Sequence, residues 1–175
     1  MKNKSLIFLV LLIAASLLFI LFSNQQANKQ IAAVGLVAPE YEFLDPSNNS
    51  IISSSDMKGK VVFLNFWASW CPPCKEEVPS IEALYKELSG NSNFKIITVL
   101  YRDTYENGSG YMQTNGYTFP IYTDEKGKSF KNFGLTGVPE TYLIDKQGIL
   151  RKHLIGPADW NSPLEKSLIN LLLNE

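Results

Sequence analysis

The sequence predicts a mixed α/β sheet with helices on both faces, and three features carry that expectation. Two near-continuous apolar runs rich in β-formers, Lys60–Trp67 (KVVFLNFW) and Phe94–Tyr101 (FKIITVLY), read as strands buried on both faces. Between them Val78, Ile81, Leu84, Tyr85 and Leu88 fall at helical spacing with Gly90 as the stop. That β-α-β unit calls for a right-handed crossover and a parallel pair. Farther on, Glu140–Ile144 and Ile149–Ile155 flank Asp145-Lys146-Gln147-Gly148, a hairpin signal that adds antiparallel strands.

The first element is different in kind. Of the 17 residues from Leu6 to Phe22, all but Ser16 are apolar, and Lys2 and Lys4 precede them. As a helix this run spans about 25 Å, just short of the roughly 30 Å hydrocarbon core, and Ser5 and Ser23 can extend it. No small-x-small cleavage site follows Phe22 and there is no cysteine for lipid attachment. An uncleaved anchor over residues 1–23 therefore reads better than a cleaved signal segment, which stays as the competing reading. The leading lysines predict a cytoplasmic N-terminus and an extracytoplasmic domain, periplasmic or on the outer face. Residues 24–35 read as a linker, and the folded domain is expected over 36–175.

Within that domain Tyr41–Leu44 and Ile51-Ile52 read as short edge strands around the Asp45–Asn49 turn. The segment from Arg102 to Tyr117, with three glycines and three tyrosines, predicts only a short helix near Gly110–Asn115. A strand over Phe119–Thr123, a short helix over Lys126–Phe133 closed by Gly134, and a last helix over Pro163–Leu173 complete the chain.

Composition excludes several classes. There are 16 basic and 17 acidic residues with no basic cluster, so nothing points to nucleic acid. Two cysteines and one histidine, His153, cannot by themselves make a four-ligand zinc site, and no metal or other cofactor is expected. What stands out is Cys71-Pro72-Pro73-Cys74 at the junction of a buried strand and a helix N-terminus. Unpaired N–H groups and the helix dipole lower the pKa of a thiol at that position. Cys71 is expected as the N-cap and attacking thiolate, with Cys74 one turn in, shielded and resolving. Pro72 and Pro73 suit a first turn but remove two donors, leaving Cys74 N–H as the nearest. A bridge across so short a loop constrains the unfolded chain little, so redox chemistry is favoured over stapling.

The run VVFLNFWASWCPPCKEEVP, followed about 60 residues later by GVPETYLID, resembles the membrane-anchored thioredoxin-like reductases of the TlpA/ResA/CcmG (DsbE) group, nearest to its cytochrome c maturation branch. The resemblance implies a thioredoxin-like fold with an N-terminal β extension and a central insertion between Tyr101 and Phe119. It implies a redox-active Cys71–Cys74 disulfide, a cis Pro139 facing it, and Val138 offering backbone to substrate, with Trp70 and Pro72 part of the substrate surface. Asn65 stands where ordinary thioredoxin has a buried Asp. Glu77 and Glu140 match two acids of the group's active site. Carboxylates near a thiol oppose thiolate formation, so the couple should be reducing.

By that resemblance the chain reduces a partner's disulfide, with apocytochrome c haem-site cysteines as client and a membrane electron donor of the DsbD/CcdA kind restoring the dithiol. The alternatives are a general envelope oxidase or isomerase, a reductase for another envelope or sporulation client, and a non-catalytic binding or chaperone module. Taken singly, Glu77 and Glu140 have solvated surface charges as their default reading, Trp67 and the tyrosines 101, 105, 111 and 117 have packing, and His153 has a structural place.

Overall fold

A computed structural model describes residues 2–26 and 32–175. The first element is helix α1 (Lys2–Gln26). Its described side chains run only from Ile7 to Ile20, and among the described residues no helix is long and apolar enough to cross a membrane. The expected linker at 24–35 is helical to Gln26, falls outside the described residues at 27–31, and is already tied to the domain at Gly35, whose N–H donates to Leu150 O at 2.8 Å. The chain divides into two units, Met1–Gln30 and Ile31–Glu175.

The second unit is built on β1 (Glu42–Asp45), β2 (Ser50–Ser53), β3 (Val61–Trp67), α2 (Pro72–Leu88), β4 (Phe94–Leu100), α3 (Tyr105–Asn115), β5 (Ile121–Thr123), α4 (Lys128–Phe133), β6 (Glu140–Ile144), β7 (Leu150–Ile155) and α5 (Pro163–Asn174). The sheet order is β2-β1-β5-β4-β3-β6-β7. β3 pairs in parallel with β4, and β4 with β5, while β6 runs antiparallel to both β3 and β7. The mixed sheet and the β-hairpin extension β1–β2 agree with the expectation, and the whole is a thioredoxin-like α/β fold.

All seven β3 side chains are buried, and they alternate between two cores. Val61, Phe63 and Trp67 join Val78, Ile81 and Leu84 of α2 and Ile169 and Leu172 of α5. Val62, Leu64 and Phe66 join Tyr41, Phe43, Phe133 and Tyr142 on the opposite face. Period-two alternation thus puts Asn65, fully buried, on the α2 side.

Two elements differ from expectation. Helix α3 starts at Tyr105, five residues earlier than the glycines allow from propensity alone. Thr104 caps it by accepting from Asn107 N, and Gly108 lets it lie against β4: a Cβ there would sit 2.8 Å from Leu100 Cδ1. Strand β5 is shorter than expected because Pro120 has no N–H for the ladder and Phe119 N–H is taken by Glu82.

Glu82 of α2 holds the far end of this insertion. Its buried carboxylate accepts from Thr118 N at 2.7 Å, Thr118 Oγ1 at 2.7 Å and Phe119 N at 3.1 Å, and it pairs with Lys86. Glu82→Ala strands the buried Phe119 N–H and removes the acceptor of the more exposed Thr118 N–H, so a loss of roughly 1–3 kcal/mol is expected in urea unfolding. A loss under about 0.5 kcal/mol would mean that water replaces the carboxylate without penalty.

Candidate active site

Strand β3 ends at Trp67, and the chain turns through Ala68-Ser69-Trp70 into α2. The turn is held from outside: Ser69 N donates to Asp103 Oδ2 at 2.7 Å, and Asp103 Oδ1 accepts from Thr104 N and Asn107 Nδ2. Trp70 is 52% exposed, yet its ring is fixed by Nε1 donating to Arg102 O at 3.2 Å. Arg102 sits at φ 50°, a left-handed conformation that L side chains rarely adopt.

Cys71 is the N-cap of α2, and its Sγ accepts from Cys74 N at 3.2 Å, as the sequence leads one to expect. Pro72 and Pro73 fill the first turn. The two cysteines form the disulfide, with Cα atoms 5.3 Å apart. The expected contrast in exposure is small: Cys71 is 2% exposed and Cys74 is closed off entirely. The Val138–Pro139 peptide is cis, and Val138 O lies 3.5 Å from Cys71 Sγ.

The two acids are buried, not solvated. Glu77 Oε1 accepts from Asn65 Nδ2 at 2.8 Å, while Oε2 accepts from Trp160 Nε1 at 3.2 Å and Ala158 N at 3.3 Å. Burial pushes its carboxyl up to about 7, outweighing the pull of those hydrogen bonds. Glu140 is more densely paired. Oε1 accepts from Thr136 N, Thr136 Oγ1 and Gly137 N, and Oε2 accepts from Tyr142 OH at 2.8 Å and faces His153 Nε2 at 2.9 Å. Burial raises its carboxyl, but the donors from Thr136, His153 and Tyr142 win and hold it below the ordinary value. Glu140 therefore works as a clamp on the loop that presents Val138.

His153, given a structural place from the sequence, stacks on Tyr142 with ring centroids 4.3 Å apart and completes this clamp. Trp160 and Asp103 escape sequence reasoning. Trp160 reaches Glu77 across 83 residues of sequence, and no spacing signals such a contact. Asp103 resembles any loop Asp. Among the described residues no group of three His, Cys, Asp or Glu is placed to hold a metal ion.

A thioredoxin-like fold with a Cys-x-x-Cys pair at the head of its first domain helix and a cis-proline beside it defines the class of thiol:disulfide oxidoreductases. The chain belongs to the AhpC/TSA family, whose model matches residues 34–153. It is 32% identical over 148 residues to the thiol-disulfide oxidoreductase ResA of Geobacillus thermodenitrificans, covering 85% of this chain and 84% of the relative. Among solved structures it is similar to StoA of Bacillus subtilis, at 27% identity and TM-score 0.61, covering 81% of this chain and 99% of that one. It is also similar to a thiol:disulfide interchange protein of the thioredoxin family from Chlorobium tepidum, at 25% identity and TM-score 0.66, covering 81% and 98%.

The raised Glu77 carboxyl sets a pH dependence. From about pH 4.5 to 7 the folded protein keeps a proton that the unfolded chain has lost, so stability declines as pH rises through that window. The full effect is roughly 3 kcal/mol. In the oxidised protein, unfolding free energies measured across this range should decline more steeply for the wild type than for Glu77→Gln. Equal slopes would show that Glu77 ionises as an ordinary glutamate does.

Proposed function

We propose that the chain is an extracytoplasmic thiol:disulfide reductase, held at the membrane by its N-terminal helix, that reduces the C-x-x-C-H haem-site disulfide of apocytochrome c. The setting of the sulfurs carries the direction of the reaction. Cys71 Sγ has Cys74 N as donor but a carbonyl, Val138 O, at 3.5 Å, and the Glu77 carboxyl lies one helical turn from Cys74. A carbonyl and a carboxylate both oppose negative charge on sulfur. A thiolate stabilised so little favours the oxidised pair, which makes the dithiol an electron donor. The apolar run behind two lysines supports the anchor and its orientation.

The reaction balances in two exchanges. Cys71 thiolate attacks one sulfur of the client disulfide, forming a mixed disulfide and expelling the first client thiolate, which takes a proton. Cys74 then gives its proton to Glu77, and its sulfur attacks Cys71 Sγ, expelling the second client thiolate. Two electrons pass to the client, and the Cys71–Cys74 disulfide remains for a membrane donor of the DsbD/CcdA kind to reduce. Glu140 takes no proton in this scheme; it fixes the loop carrying Val138 and Pro139.

Equilibrated with thiol buffers, the Cys71–Cys74 couple should have a potential at or below about −270 mV, the thioredoxin range. A value near −120 mV, roughly that of the strong periplasmic oxidant, would make the protein an oxidase. Cys74→Ser should accumulate a mixed disulfide with an apocytochrome haem-site peptide. Trapping of unrelated secreted proteins with equal efficiency would refute that client.

A further inference from the structure

The partners of Glu77 share a property that bears on how it can change charge. Asn65 Nδ2, Trp160 Nε1 and Ala158 N all donate to it, an arrangement matched to a carboxylate. Once the carboxyl takes a proton, one of its oxygens becomes a donor and needs an acceptor. The Trp160 indole and the Ala158 amide have none to turn toward it. Asn65 has one, because a half-turn of its side-chain amide puts Oδ1 where Nδ2 stood.

Two further observations fit that turn. Asn65 Nδ2 also donates to Thr141 Oγ1 at 2.9 Å, and a hydroxyl can accept or donate, so Thr141 follows the turn without losing its bond. Asn65 Oδ1 is one of two buried side-chain polar atoms without a hydrogen-bond partner among the described residues, the other being Trp67 Nε1. A half-turn exchanges that unpaired acceptor for an unpaired donor. Neither orientation satisfies the whole amide, so burial does not lock it and the proton on Glu77 decides.

We propose that Asn65 is a positioning residue whose amide turns with the protonation of Glu77, presenting Nδ2 to the carboxylate and Oδ1 to the carboxylic acid. Glu77 then stays hydrogen-bonded while it takes and releases the Cys74 proton, which rests on the reading of Glu77 as that proton's acceptor. The surrounding groups do not supply this adjustment. Cys74 and Glu76 stand on α2 beside Glu77, and Asp159 lies in the segment before α5. Lys152 of β7 lies over the Trp160 ring, 5.6 Å from its centroid, and pairs with Glu165 of α5. Asn65 on β3 and Thr141 on β6 do not titrate. A cleft of about 520 Å³ lined by Glu76, Glu77, Ser80, Ala158 and Asp159 gives the carboxyl a path to solvent.

The test is a pH titration of the full-length oxidised protein by NMR, following the Glu77 carboxyl carbon and the Asn65 side-chain amide from pH 5 to 9. Both signals should move with one shared midpoint, and Glu77→Gln should leave the Asn65 amide unchanged with pH. If Glu77 titrates while the Asn65 amide stays flat, the turning amide is wrong and the role of Glu77 stands. If Glu77 does not titrate in this range, both fall. Asn65→Leu, close in volume, removes the partner of the carboxylate and of the acid alike, so the midpoint of Glu77 should move by less than about one pH unit; a larger rise would show that Asn65 serves the carboxylate alone and would overturn the proposal.

Discussion

Strand β3 lies between β4 and β6 with α2 packed over one face and the aromatic cluster of Phe66, Phe133 and Tyr142 over the other, so none of its side chains reaches water. One of them is an amide. A buried amide must find its hydrogen bonds within the protein or lose the free energy of its hydration. The Nδ2 group of Asn65 finds them in Glu77 on α2 and Thr141 on β6 while Oδ1 has none, and Glu77 in turn draws in Trp160 and the Ala158 backbone. Ser80 strengthens the same seam, accepting from Trp160 N and donating to Ala158 O. The segment leading to α5 is therefore fastened to α2 through a polar network that exists because the centre of the sheet carries Asn65. Cys74 sits one turn before Glu77 on that helix, so the network that satisfies the core also sets the environment of the dithiol.

The two buried acids of the site show how donor count decides behaviour. Glu140 has donors from Thr136, Gly137 and Tyr142 together with His153, and its carboxyl stays below the ordinary value. Glu77 has three partners, two of them beyond 3.1 Å, and burial wins. The same residue type thus serves two ends. A carboxylate held ionised by many donors is a fixed anchor, suited to holding the loop before Pro139. A carboxyl poised near neutrality is suited to the proton exchange proposed for it, and a cleft lies beside it.

Much of this could be read from residues in order. The apolar runs marked β3 and β4, the Cys-x-x-Cys at a strand–helix junction located the N-cap, and the second motif pointed to the cis-proline. Those features are local, set by periodicity and by short motifs. What could not be read depends on contacts across the fold. Gly108 and Gly110 look like loop residues until α3 is seen lying on Leu100, where a Cβ at 108 would force the Leu100 side chain to shift. The clamp role of Glu140 needs the register that puts His153 opposite Tyr142. Trp160 and Asp103 have no local signature because each acts through a partner more than 30 residues away.

The outer face of the site follows the same economy. Trp70 is the large apolar residue left open beside the sulfurs, and its indole N–H is bound to Arg102 O, so the ring is held before any client arrives. Holding it requires Arg102 in a left-handed conformation, which is unfavourable for an arginine and is sustained by neighbours. The Arg102 guanidinium stacks on Tyr101, whose ring packs edge-on against Phe130 of α4, and Asp103 accepts from Ser69 N in the turn that leads into α2. Strain at one residue thus fixes the ring that borders the nucleophile. Under the proposed function, this rigid aromatic surface beside a nearly closed sulfur is where a client disulfide would be laid, against Trp70 and the Val138 carbonyl together.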